Sequence, residues 1–191
     1  MKNKIENFTL HPLENSEYIS VHFATFTHNG VERDWEVVEA NDSVAILIYH
    51  VQKKAFILVK QFRPAVYLNN NNGVTVELCA GMVDKNLSLV QIAKEEIEEE
   101  CGFDVAVESI EKITSFHTSV GFAGPKQTLY YAEVDECMKI SEGGGIDDEQ
   151  IEVIYLPVSE AKAFMYDDSI ASTPGLMFAF MWWFDKMRNE K

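Results

Sequence analysis

Apolar residues fall along the chain in short runs broken by turn signals. Residues 18–27, YISVHFATFT, are rich in β-branched and aromatic side chains. Asn29-Gly30 follows, the strongest short hairpin signal, so residues 31–40 read as the return strand. Such a ribbon is marginal alone and needs another surface to cover it. Residues 43–49 (SVAILIY) and 55–62 (AFILVKQF) predict two more strands; the first is apolar almost throughout, as expected of a strand covered on both faces. Residues 74–78 predict a short strand, 108–117 and 127–134 two longer ones around a loop, and 151–156 another. Ser88 reads as the N-cap of a helix whose buried stripe is Leu89, Ile92, Ala93 and Ile97. A short helix is predicted over 159–166. Thr173-Pro174 opens a closing helix that runs to about Arg188. That helix carries Leu176, Met177, Phe178, Phe180, Met181, Trp182, Trp183 and Phe184. We read these as core or subunit interface rather than an aromatic ligand box. Strands and helices alternate without strict βαβ repetition, which predicts an α/β fold with a mixed sheet between helices.

Length and charge narrow this picture. A chain of 191 residues makes one domain, or one domain with a small extension. The formal net charge of −15 argues against a general affinity for nucleic acid or an anionic membrane surface. It leaves room for a phosphate-bearing small molecule, because a bound metal ion reverses the local sign. Cys79, Cys101 and Cys137 have no metal-ligand spacing and read as reduced thiols of a cytoplasmic protein. No apolar run is long enough to span a membrane, and the amino end lacks a signal-peptide core.

The candidate chemistry lies at the end of the Ser88 helix, where Glu95, Glu96, Glu98, Glu99 and Glu100 crowd together. Glu96, Glu99 and Glu100 share one helical face at a spacing where like charges repel. They also sit at the negative pole of the helix dipole. A hard divalent cation held by carboxylate oxygens would relieve both conflicts, and an oxygen-only set suits Mg²⁺ or Mn²⁺ rather than zinc. Ala80-Gly81 before the helix and Cys101-Gly102 after it, with Gly102 placed as a left-handed C-cap, make the arrangement more specific than an acidic run alone.

These residues carry a resemblance. The stretch from Glu77 to Asp104 resembles the Nudix box, G-x5-E-x7-R-E-U-x-E-E-x-G-U, with U a bulky apolar residue. Gly81, Glu96, Ile97, Glu99, Glu100, Gly102 and Phe103 match in spacing. Leu87 stands where the first Glu belongs and Glu95 where the Arg belongs. The resemblance implies an α/β/α sandwich over residues 42–191, preceded by a β-rich segment over 1–41 that exchanges between the subunits of a homodimer. It implies that Glu96 and Glu100 are the principal Mg²⁺ ligands, that Glu99 assists, and that Ala80 adds its backbone carbonyl.

The segments VKQFRPAVY, GVTVELCAG, EECGF and SVGFAGPKQT resemble the family's nucleoside-diphosphate-sugar branch. This implies cleavage of a nucleotide sugar, UDP-glucose preferred and ADP-ribose the alternative. By the same resemblance Glu149, or else Asp147, is the general base on a late acidic loop, and Gly143, Gly144 and Gly145 would let that loop close over substrate. Arg63 would hold the diphosphate, its planar fork suiting phosphate oxygens. Trp35 would stack on the nucleobase from the partner subunit, and the loop from Gly121 to Gly124 would line the sugar or terminal phosphate. His117 reads as structural. Leu87 and Glu95 keep a second expectation open: a non-catalytic module that binds a nucleotide sugar.

Overall fold

The computed structural model describes residues 5–146 and 149–189. Strands β1 (Ile19–His28) and β2 (Val31–Ala40) form an antiparallel hairpin that stands as a separate two-stranded sheet. The turn is made by Asn29 and Gly30, both at positive φ (53° and 79°), as the Asn-Gly pair predicts. The other strands, β3 (Ser43–His50), β4 (Ala55–Phe62), β5 (Val74–Glu77), β6 (Cys79–Met82), β7 (Glu111–His117), β8 (Lys126–Val134), β9 (Glu152–Pro157) and β10 (Ala171–Ser172), form one eight-stranded mixed sheet. The helices are α1 (Pro64–Asn70), α2 (Leu89–Cys101), α3 (Val158–Met165) and α4 (Pro174–Asn189).

The sheet forks. β3 and β4 pair only over Ile48–His50 and Ala55–Ile57, then part. β5 continues along β4, and β6 continues along β3. Leu78 links the two filling strands, so Glu77, Cys79, Ala80 and Gly81 are gathered at the opening of the fork. The segment Cys79–Met82, beyond the short strand predicted over 74–78, is therefore a strand of its own. Short strand β10 and helix α1 were also not foreseen.

Alternate residues of the central strands feed two cores. Val44, Ile46 and Ile48 of β3, with Ile57 and Val59 of β4, pack under α2 against Ile92, Ala93, Ile97 and Phe103. Ala45, Leu47, Phe56 and Leu58 face the other way, onto Ala161, Leu176, Ala179, Phe180 and Trp183 of α3 and α4. The sheet is covered on both faces, which gives the expected sandwich. Each fully buried Ile or Leu contributes roughly 1.5–3 kcal/mol, so the two layers hold α2 firmly on the fork. The closing helix supplies core as expected, although Phe178 and Met181 lie on its exposed side. No helix among the described residues is long and apolar enough to cross a membrane.

Candidate active site

Helix α2 presents the carboxylates, and local sequence fixes its ends. At its start the Ser88 N–H and hydroxyl both donate to Gln91 Oε1, at 3.0 and 2.6 Å. At its end Gly102 takes φ 78° and its N–H reaches the Glu98 carbonyl at 3.0 Å. The next two carbonyls, those of Glu99 and Glu100, accept N–H groups from Gly145 (3.1 Å) and Gly144 (2.8 Å). The orphan carbonyls of the helix end are thus met by backbone donors from a distant loop, which softens the negative pole that the sequence alone exposes. The glycine triplet is hydrogen-bonded to the helix end here.

The five glutamates sort into two sets. Glu95 pairs with Lys85 at 2.8 Å, and Glu98 lies 3.8 Å from Lys94. Glu96, Glu99 and Glu100 have no lysine or arginine partner among the described residues. Glu100 is only 5% exposed, and its Oε2 accepts the Ala80 N–H at 2.9 Å. Burial pushes its carboxyl up to about 8, against the pull of the Ala80 hydrogen bond, and Glu96 and Glu149 push further. Burial likewise raises Glu96 to about 7, with Glu99 adding to the rise. Gly81 makes room for this side chain: a Cβ there would lie 1.9 Å from Glu96 Oε1.

A divalent cation fits this donor set chemically. The inner three carboxylates are all oxygen donors, two are desolvated, and none is paired with a basic side chain among the described residues. They are neighbours rather than a finished cage: among the described residues no three His, Cys, Asp or Glu side chains are gathered tightly enough to enclose an ion. Glu96, Glu99 and Glu100, with the Ala80 carbonyl, are the groups that would hold it.

The departures from the box acquire a physical account. Leu87 is exposed and Glu95 binds Lys85, so the segment before α2 is still tied to the helix by an ion pair. The pair uses Lys85, two residues before Leu87, and the acidic partner lies on the helix. Lys85 was missed from sequence because it falls at one of the five unspecified positions of the box, between Gly81 and Leu87.

Arg63 ends β4 and grips Glu77 of β5 with two parallel bonds, Nε to Oε1 and NH2 to Oε2, each 2.8 Å. Burial pushes the Glu77 carboxyl up, but the Arg63 fork and the Thr75 hydroxyl more than offset this and hold it below its ordinary range. Glu77 was the other residue missed. A lone carboxylate in an otherwise apolar strand needs a buried partner, and that signal was readable. Glu149 lies near enough to Glu96, Glu100 and Arg63 for its charge to act on all three. Its Oε2 accepts the Ile146 N–H at 3.0 Å. Asp147 lies outside the described residues.

The remaining predicted residues form a second group. Trp35 Nε1 donates to the Gly121 carbonyl at 2.8 Å, and the Val38 N–H donates to the Phe122 carbonyl at 2.7 Å. Trp35 also borders an open depression of about 550 Å³ with Phe26, His28 and Arg33. His117 Nδ1 lies 2.8 Å from the Gly124 carbonyl and so holds the loop, as a structural histidine would. No hydrogen bond or ion pair among the described residues joins this group to the α2 carboxylates.

A forked mixed sheet between helices, with a glycine-cradled carboxylate helix at the fork, defines the class of protein. The chain matches the NUDIX domain over residues 39–173 and belongs to that family. It is 34% identical, over 95% of each chain, to "Uridine diphosphate glucose pyrophosphatase NUDT14" of Bos taurus, and 33% identical, over 91% of each, to the Mus musculus protein of that name. It is 40% identical to "GDP-mannose pyrophosphatase" of Cronobacter sakazakii, over 66% of this chain and 65% of the other.

Proposed function

We propose that the chain is a Mg²⁺-dependent diphosphatase for nucleoside-diphosphate sugars, with UDP-glucose preferred and the products UMP and glucose 1-phosphate. The observation that carries this is the trio Glu96, Glu99 and Glu100, without a lysine or arginine partner among the described residues, with Glu100 on the Ala80 N–H and Glu96 against Gly81. The names borne by its relatives support the substrate class.

Bound at these carboxylates, the ion would neutralise diphosphate charge and make an attacking water more acidic. Mn²⁺ has the same ligand preference. The chain's own groups do the rest. Arg63 engages two of its five N–H donors with Glu77 and keeps the others for phosphate oxygens. Glu149 takes the proton of the attacking water, with Asp147 the second choice; the water oxygen bonds to one phosphorus as the bridging P–O bond breaks, and the other phosphate leaves with the bridging oxygen. Glu99 assists at the phosphoryl group. No covalent nucleophile is needed, because displacement at phosphorus depends mainly on positioning and electrostatics.

Recognition falls to the second group. Trp35 clamps the nucleobase, and the segment containing Gly121 and Gly124 lines the sugar. The hairpin completes its own burial against a second copy of the chain, giving a homodimer. Its exposed Val21, Phe23, Phe26 and Val31 support this reading, since apolar side chains on both faces of a free ribbon are costly. Three cysteines without disulfides, two of them buried, suit a reducing cytoplasmic setting.

The test is product analysis of the full chain with Mg²⁺ against UDP-glucose, GDP-mannose and ADP-ribose. UMP release from UDP-glucose at the highest kcat/KM is expected. AMP from ADP-ribose at a higher kcat/KM would move the substrate, and no nucleotide released from any of the three would leave a binding module. Glu100→Gln should lower kcat by about 10²–10³ while the protein stays folded, the scale set by losing one preorganised electrostatic group.

A further inference from the structure

Gly143, Gly144 and Gly145 all take left-handed φ values, 66°, 109° and 87°. The backbone reason differs along the triplet. A Cβ on Gly143 would lie 2.3 Å from the Glu100 carbonyl oxygen and 2.8 Å from the Cys101 carbonyl carbon. Neither backbone atom can step aside. A Cβ on Gly145 would lie 2.4 Å from Glu149 Oε2 and 2.7 Å from Glu149 Cβ. Between them, the N–H groups of Gly144 and Gly145 bond the carbonyls of Glu100 and Glu99. The loop is then closed at its root by the Ile151 N–H on the Gly144 carbonyl at 3.3 Å, and Glu149 folds back with its own N–H on the Ile146 carbonyl at 3.1 Å.

From this geometry we propose that the glycine triplet is a positioning strap: it hangs the Glu149 loop on the backbone of the two residues whose side chains face the cation site. Glu99 and Glu100 thereby set two distances at once. Their carboxylates would hold the cation, and their carbonyl oxygens fix the root of the loop that carries the base. Any shift of the helix end moves both together, so the spacing between them is held. A hinge at the same place would leave the Gly144 and Gly145 amides unpaired and would tolerate a Cβ at residue 143. The strap rests on the reading of Glu149 as the base, and the experiment separates the two.

Three variants of the full chain are compared with wild type, using UDP-glucose and saturating Mg²⁺: Gly145→Ala, Glu149→Gln and the double variant. Gly145→Ala should lower kcat about tenfold to a hundredfold, the usual effect of an ångström-scale misplacement, with KM within about threefold. Its Mn²⁺ affinity, followed by electron spin resonance, should stay at the wild-type value, while its melting temperature falls by a few degrees because alanine is strained at φ 87°. On the Glu149→Gln background the glycine change should cost less than about threefold. Independent of turnover, the Gly144 and Gly145 amides should be protected from hydrogen exchange in wild type and lose that protection in Gly143→Ala. Additive losses in the double variant, unchanged kcat in Gly145→Ala, or amides exchanging at free-loop rates would overturn the strap. Wild-type kcat in Glu149→Gln would overturn the base instead, and amide protection would then decide the strap alone.

Discussion

Strands β1 and β3 are both rich in apolar residues, yet they fare oppositely. In β3 residues 44–48 are buried on both faces, one set under α2 and the other under α4. In β1 Phe23 is 67% exposed and Val21 63%, and across the ribbon Trp35 is 56% exposed. The same chemistry is satisfied in one place by layers of the same chain and left open in the other. The difference teaches a division of labour. The body carries a site whose parts are locked by packing and backbone hydrogen bonds. The hairpin carries apolar side chains that the single chain leaves exposed.

Core and hairpin substitutions should separate the two regions most sharply. Ile97→Ala removes a fully buried side chain beneath the carboxylate helix and should cost about 2–5 kcal/mol in chemical denaturation. Phe23→Ser should leave the melting of the body nearly unmoved and shift the chain toward monomer in light scattering. Equal destabilisation by both would erase the contrast. Next in size, Trp35→Ala should raise KM for UDP-glucose about tenfold with kcat nearly unchanged, the scale of one lost base-stacking contact. A fall in kcat with constant KM would place Trp35 with the chemistry instead.

A pH series tests the body alone. In the metal-free protein Glu96 and Glu100 keep their protons up to about 7 and about 8, whereas an unfolded chain releases them near 4.3. The folded state binds more protons in that window, so stability should fall as pH rises from about 5 to about 8 and level off above. The melting temperature should drop by several degrees over this range, and Mg²⁺ should remove the drop by replacing the protons. A metal-free melting temperature that rises through the window would reverse the sign. The smallest effect belongs to the exposed pair of Lys85 and Glu95. Either alanine variant should cost about 0.2–1 kcal/mol, and the exchanged pair, Lys85→Glu with Glu95→Lys, should recover most of it.

Much of this was legible in the chain. The Asn29-Gly30 turn, the apolar β3, the stripe on α2 and the Gly102 cap all follow from short-range rules, and the structure has them. The spacing of Gly81, Glu96, Glu99 and Glu100 pointed to the family, and the chain belongs to it. What escaped depends on segments far apart in sequence. The fork that turns Cys79–Met82 into a strand arises only when β3 and β4 diverge. The triplet at 143–145 looks like a hinge in isolation. It becomes a strap only when laid against a helix that ends at Cys101. Glu77 needed Arg63 across a strand pair, and Lys85 needed Glu95 across the start of the helix.

The central claim is that a divalent cation belongs among Glu96, Glu99 and Glu100 of α2, which have no lysine or arginine partner among the described residues. Calorimetric titration of Mg²⁺ into the wild-type chain and Glu100→Gln, each with and without UMP, tests it most directly. Saturable binding in wild type that is lost or weakened at least tenfold in the variant is the result expected. No saturable binding in wild type under either condition, or equal affinity in the two proteins, would contradict it.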